Sequence, residues 1–89
     1  METTFIKIAD YMLDPKEVTI KAGTQIRWDN YDSVSHTLET YDTYDDSFKT
    51  GPIAPQQFYA FVLSRPGKAQ YWCVEHKEMN ETGVINVEG

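Results

Sequence analysis

The sequence predicts an all-β sandwich of about seven to eight strands, and three observations carry the prediction. Apolar residues recur with a period of two and hardly ever with the period of a helix, which puts alternate side chains on one face of a sheet. Seven short strands fall at roughly 8–12-residue spacing, separated by turns that Gly and Pro mark. The chain is also short: 89 residues make a single domain, residues 1–89. At that size one modest core is all it can build, since folding buries only about 60–68% of the unfolded surface.

The elements follow in order. Phe5, Ile6 and Ile8 mark a first strand. Asp14-Pro15 then reads as a turn, because proline fixes its own φ and moves the preceding residue away from the helical region. Val18-Thr19-Ile20-Lys21 is a second strand, ended at Ala22-Gly23 by a residue that tolerates positive φ. Gln25 to Asn30 alternates with Ile26 and Trp28 on one face and forms a third. His36 to Thr40 is a short fourth strand, after which Tyr41 to Lys49 has no periodicity and reads as a loop. Gly51-Pro52 and Pro55 break the next stretch. Gln57 to Leu63 returns to a strand, with Phe58, Ala60 and Val62 on one face and Tyr59, Phe61 and Leu63 on the other. Beyond the Arg65-Pro66-Gly67 turn, Gln70 to Cys73 and Gly83 to Val87 supply the last two strands. Gly83, Ile85 and Val87 share the parity expected of core positions. The pattern is that of an antiparallel sandwich.

Charge and composition exclude several functions. Eight basic against fourteen acidic side chains give a net charge of −6, the wrong sign for a nucleic-acid binder, whose affinity comes from Lys and Arg neutralising phosphates. The longest apolar runs, such as Phe58 to Leu63, fall far short of the ~18–20 residues that cross a bilayer, so no membrane span is expected. A single cysteine, Cys73, excludes an intramolecular disulfide. The N-terminus shows no charged and apolar leader, which leaves a cytosolic protein and an exported one whose leader has been removed as alternatives.

The soft and intermediate metal donors are few: Cys73, His36 and His76, with Met1, Met12 and Met79. Cys73-Val74-Glu75-His76 is the sharpest local feature. Taken alone, a lone cysteine is as readily a small buried hydrophobe and a histidine as readily a solvated side chain. His36, however, follows the strand Gln25 to Asn30 after a short loop, which in a seven-strand sandwich can lie at the same end as the loop after Cys73. One thiolate and two imidazoles suit copper in a trigonal arrangement with a weak axial partner. Closed zinc sites usually take four ligands, often in two close pairs, and fit less well. A cysteine nucleophile would need an activating base, an oxyanion hole and a cleft, for which so short an all-β chain offers few parts.

These residues together resemble a known family. Val18-Thr19-Ile20-Lys21-Ala22-Gly23, Trp28-Asp29-Asn30-Tyr31-Asp32, His36-Thr37, Phe48-Lys49-Thr50-Gly51-Pro52, Pro66-Gly67 and Tyr71-Trp72-Cys73-Val74-Glu75-His76 occur in the order seen in cupredoxins of the plastocyanin and amicyanin type. The resemblance runs from about Phe5 to Val87. It implies a cupredoxin-like Greek-key β-sandwich that binds one type 1 copper and passes single electrons between redox partners rather than catalysing a reaction. It also implies His36, Cys73 and His76 as equatorial ligands, with Asn30 tying the His36 loop to the Cys73 loop. An extracytoplasmic location follows from the resemblance alone.

The fourth ligand departs from the pattern. Cys-x-x-His-x-x-Met is satisfied by Cys73, His76 and Met79, but the glycine expected two positions after the methionine stands four positions after it, at Gly83. Counting back from Gly83 instead lands on Glu81. Met79, Glu81 or water are therefore the axial candidates, and a non-standard axial position is expected. An open position raises an alternative function, binding and redox conversion of a small ligand such as nitric oxide. A third possibility is a sandwich that binds no metal and serves only as an interaction module. Trp72 packs on the sheet face opposite Cys73 or extends a second route to the surface. His76 would be the exposed edge for electron transfer. The acidic cluster Glu39, Asp42, Asp45 and Asp46, interleaved with Tyr41 and Tyr44, would dock a basic redox partner there or simply be solvated.

Overall fold

A computed structural model describes residues 2–41, 48–74 and 82–89. These residues form nine strands: β1 (Thr3–Ala9), β2 (Met12–Asp14), β3 (Glu17–Lys21), β4 (Thr24–Asn30), β5 (His36–Thr40), β6 (Lys49–Ile53), β7 (Phe58–Leu63), β8 (Gly67–Cys73) and β9 (Thr82–Glu88). One sheet has the order β2-β1-β4-β7 and the other β3-β9-β8-β5-β6. The alternation read in the sequence becomes an alternation of burial: β4 is buried at Thr24, Ile26, Trp28 and Asn30, and β9 at Gly83, Ile85 and Val87.

The strand partners differ from a purely antiparallel sandwich. β1 pairs parallel with β4, and β3 parallel with β9, while the other pairs are antiparallel. The chain crosses from one sheet to the other between β2 and β3 and back again before β4, so β1 and β4 arrive side by side running the same way. Two strands lie where the sequence predicts a turn or a broken stretch. β2 is only three residues long, and β6 contains Gly51-Pro52. Pro52 is tolerated because β6 is the edge of its sheet, where a missing N–H costs no ladder bond on the open side.

The core lies between the sheets. Ile6, Ile8, Leu13, Ile26, Trp28 and Leu63 come from the first, and Ile20, Leu38, Ile53, Ala69, Tyr71, Cys73, Ile85 and Val87 from the second. Its centre is aromatic. Trp28 packs edge-on to Tyr71 at 5.6 Å between ring centroids and tilted against Phe48 at 5.1 Å. The Trp28 indole N–H donates to the Tyr71 hydroxyl at 3.1 Å. Tyr71 also explains Gly83, its cross-strand partner on β9: the ring lies over the glycine, and a Cβ there would stand 2.5 Å from Tyr71 Cζ.

Candidate metal centre

The ends of β1, β4 and β8 and the start of β5 gather at one end of the sandwich. β8 runs antiparallel to β5 with Cys73 opposite Leu38, so the last residue of β8 faces inward beside the first residue of β5. His36 lies two residues before Leu38 on the same buried face, the diagonal position from which long side chains still touch. Cys73 Sγ and His36 Nδ1 stand 3.7 Å apart, and both residues are fully buried. The Val74 amide donates to the Thr37 carbonyl at 2.9 Å, pinning the residues after Cys73 and His36 to each other.

Asn30 fixes the loop that delivers His36. Its side-chain amide donates to the carbonyls of Val34 and Ile53, both at 2.8 Å, and its Oδ1 accepts from the Asp32 amide at 2.9 Å. Such a buried asparagine holds its loop by satisfying backbone groups that would otherwise lack partners. These bonds tie the His36 loop to the end of β6; the loop after Cys73, to which the resemblance also ties Asn30, lies outside the described residues.

Asp32 was not singled out by the sequence. Its Oδ2 lies 2.8 Å from His36 Nε2 and accepts from the Tyr11 amide at 3.0 Å, and its Oδ1 accepts from the Asp10 amide at 2.6 Å. Burial works against its charge, yet the N–H donors of Tyr11, Asp10 and His36 together hold its carboxyl below the usual carboxylate range. Asp10 and Tyr11 form the two-residue turn between β1 and β2 with φ of 54° and 59°, the left-handed region in which a tyrosine is uncommon. The Tyr11 ring stands edge-on to the His36 ring at 5.8 Å. Only the four-residue spacing from Asp32 to His36 hinted at the contact, and within a loop that spacing fixes no geometry.

The donor set fits a metal. An ionised carboxylate can only accept, so Nε2 of the His36 ring is the donor to Asp32, the tautomer that in a neutral ring turns the Nδ1 lone pair toward Cys73. Two donors at about 2.0 and 2.3 Å from one ion, separated by a trigonal angle, stand about 3.7 Å from each other, and 3.7 Å is the separation seen. Among the described residues no group of three or more His, Cys, Asp or Glu side chains could hold a metal ion, so a third ligand has to come from elsewhere. His76, Met79 and Glu81 lie outside the described residues, as do Asp42, Asp45 and Asp46. Glu39 is on β5 opposite Trp72 and Lys49. Trp72 faces away from Cys73, its ring stacked on that of Tyr41 at 6.0 Å and 5°. Met12 is exposed on β2.

No protein-family model matches the chain. Amicyanin-alpha of Methylorubrum extorquens is 28% identical over 93 residues, which cover 93% of this chain and 71% of that protein. Amicyanin of Paracoccus versutus is 28% identical over 71 residues, covering 78% of this chain and 54% of that one. The crystal structure of the Paracoccus versutus amicyanin superposes with a TM-score of 0.86 at 26% identity, over 97% of this chain and 81% of its own. A Cu(I) form of an amicyanin variant superposes with a TM-score of 0.87 at 20% identity, over 99% of this chain and 84% of its own. Nine strands in two sheets agree with these relatives: the chain has the cupredoxin β-sandwich fold and is similar in sequence to the amicyanins.

Proposed function

We propose that the protein is a one-electron carrier that holds one copper ion per chain through Cys73, His36 and His76. The observation that carries the proposal is the pairing of Cys73 Sγ with His36 Nδ1 at 3.7 Å in a fully buried setting. A thiolate with two imidazoles is the set that favours copper with a weak axial partner. Bound there, copper supplies a couple that gains and loses one electron without any substrate bond being made or broken.

The chain's own residues hold the donors still and dry. Cys73 is carried by the end of a strand paired on both sides, and His36 by a strand start braced through Asn30 and Asp32. His76 is the third ligand and the edge at which electrons enter or leave. Met79, Glu81 or water would complete the ligand set. A basic redox partner would dock near His76 or against the cluster of Glu39, Asp42, Asp45 and Asp46, in keeping with the chain's net charge of −6. An extracytoplasmic location goes with this role. Conversion of nitric oxide or another small ligand finds no support among the relatives.

Voltammetry of the copper-loaded protein tests the carrier role. A reversible one-electron wave is expected from the wild type and none from Cys73→Ser. A copper-loaded protein that shows no reversible wave overturns it.

A further inference from the structure

Three N–H donors converge on the two oxygens of one side chain. Asp32 takes the amides of Asp10 and Tyr11 at 2.6 and 3.0 Å and faces His36 Nε2 at 2.8 Å. Only a side chain that accepts at every lone pair can serve all three, which glutamine-like amides cannot do. The two backbone donors belong to a turn whose residues both hold positive φ, 54° at Asp10 and 59° at Tyr11, a conformation that persists where its surroundings determine it. The turn therefore fixes the carboxylate, and the carboxylate fixes the histidine ring.

We propose that Asp32 is a positioning residue that couples the β1–β2 turn to the metal site, holding the His36 ring in the orientation and tautomer that aim Nδ1 at Cys73. The inference rests on the copper reading for its purpose, but the coupling itself is a property of the metal-free chain. Asn30 braces the His36 loop through bonds that end on Val34, Ile53 and the Asp32 amide, whereas Asp32 meets the His36 ring itself.

The test is nitrogen-15 and proton NMR of the His36 ring in metal-free wild type, Asp32→Ala, Asp32→Asn and Tyr11→Gly, with copper affinity measured in parallel. In the wild type the ring should be one tautomer, with a proton on Nε2 that exchanges slowly with water. Asp32→Ala should speed that exchange at least ~10-fold and weaken copper binding by roughly 10–100-fold, the usual effect of removing a ligand's outer partner. Asp32→Asn, close in shape and therefore the safer variant for folding, should do the same to a lesser degree because it has one acceptor for three donors. Tyr11→Gly keeps the amide and suits positive φ, so it should leave the exchange rate within about twofold. Unchanged His36 exchange in both Asp32 variants would overturn the coupling, as would a loss in Tyr11→Gly equal to that in Asp32→Ala. If the wild type binds no copper while the NMR results stand, the copper reading fails and the coupling survives.

Discussion

Replacing Gly83 by alanine should be among the most damaging single-methyl additions to this protein, and the structure says why. A Cβ at position 83 would lie 2.5, 2.6 and 2.6 Å from Tyr71 Cζ, Cε1 and the hydroxyl oxygen. Ordinary carbon contacts begin near 3.5 Å, so the ring must withdraw by about 1 Å. Tyr71 has no room to do so cheaply, being fully buried against Trp28 and Phe48. Its hydroxyl accepts the Trp28 indole N–H at 3.1 Å, and a withdrawal of that size breaks the bond in a place water does not reach. Overpacking costs about 1–3 kcal/mol, and an orphaned buried donor about 1–3 kcal/mol. Gly83 does not use the left-handed region, so alanine recovers only about 0.4–1 kcal/mol from the stiffer unfolded chain. The net loss is about 2–5 kcal/mol, a large share of the stability of so small a domain. Chemical denaturation of the metal-free protein measures it as a shift in midpoint at constant slope. In a Tyr71→Ala background the same substitution should cost less by about 2 kcal/mol, the signature of a direct contact. A loss below about 1 kcal/mol, or equal losses in the two backgrounds, would refute the steric argument.

Other variants probe the rest of the scaffold. Asn30→Ala removes two donated bonds and one accepted bond at the His36 loop and should cost about 2–4 kcal/mol in denaturation, with faster hydrogen exchange at the Asp32 amide. Trp28→Phe keeps a ring but drops the bond to Tyr71 and leaves a small void; about 1–3 kcal/mol should be lost, with the near-ultraviolet dichroism of the core reduced. Arg27→Ala breaks the Arg27–Asp29 pair at 3.0 Å on the outer sheet face and should cost no more than about 1 kcal/mol, as half-exposed pairs do. Met79→Ala and Glu81→Ala, made singly, should separate the axial candidates: the true ligand shifts the copper spectrum and potential, and the other leaves both in place.

The strands with clean alternation were legible because burial on one face imposes it. Ile26 and Trp28 on β4, and Ile85 and Val87 on β9, face the core as their parity predicts. β2 and β6 escaped because one is too short to show a period and the other carries Gly51-Pro52 at a sheet edge, where the residues that elsewhere break strands are tolerated. Parallel pairing of β1 with β4 was invisible, since periodicity reports faces and not neighbours. His36 and Cys73 were found from residue type, spacing and family likeness, and the fold brings them together. Asp32 was not found, because its role depends on a left-handed turn 21 and 22 residues away that no local pattern announces. In an acidic chain one more aspartate carries no signal until its three donors are seen.

The measurement closest to the central claim is a titration of reduced, metal-free protein with Cu(II), followed by visible and EPR spectroscopy. One equivalent should produce an intense thiolate-to-copper charge-transfer band that saturates at one ion per chain and is absent in Cys73→Ser. A titration that ends without that band, or a band that survives the loss of Cys73, would contradict the account.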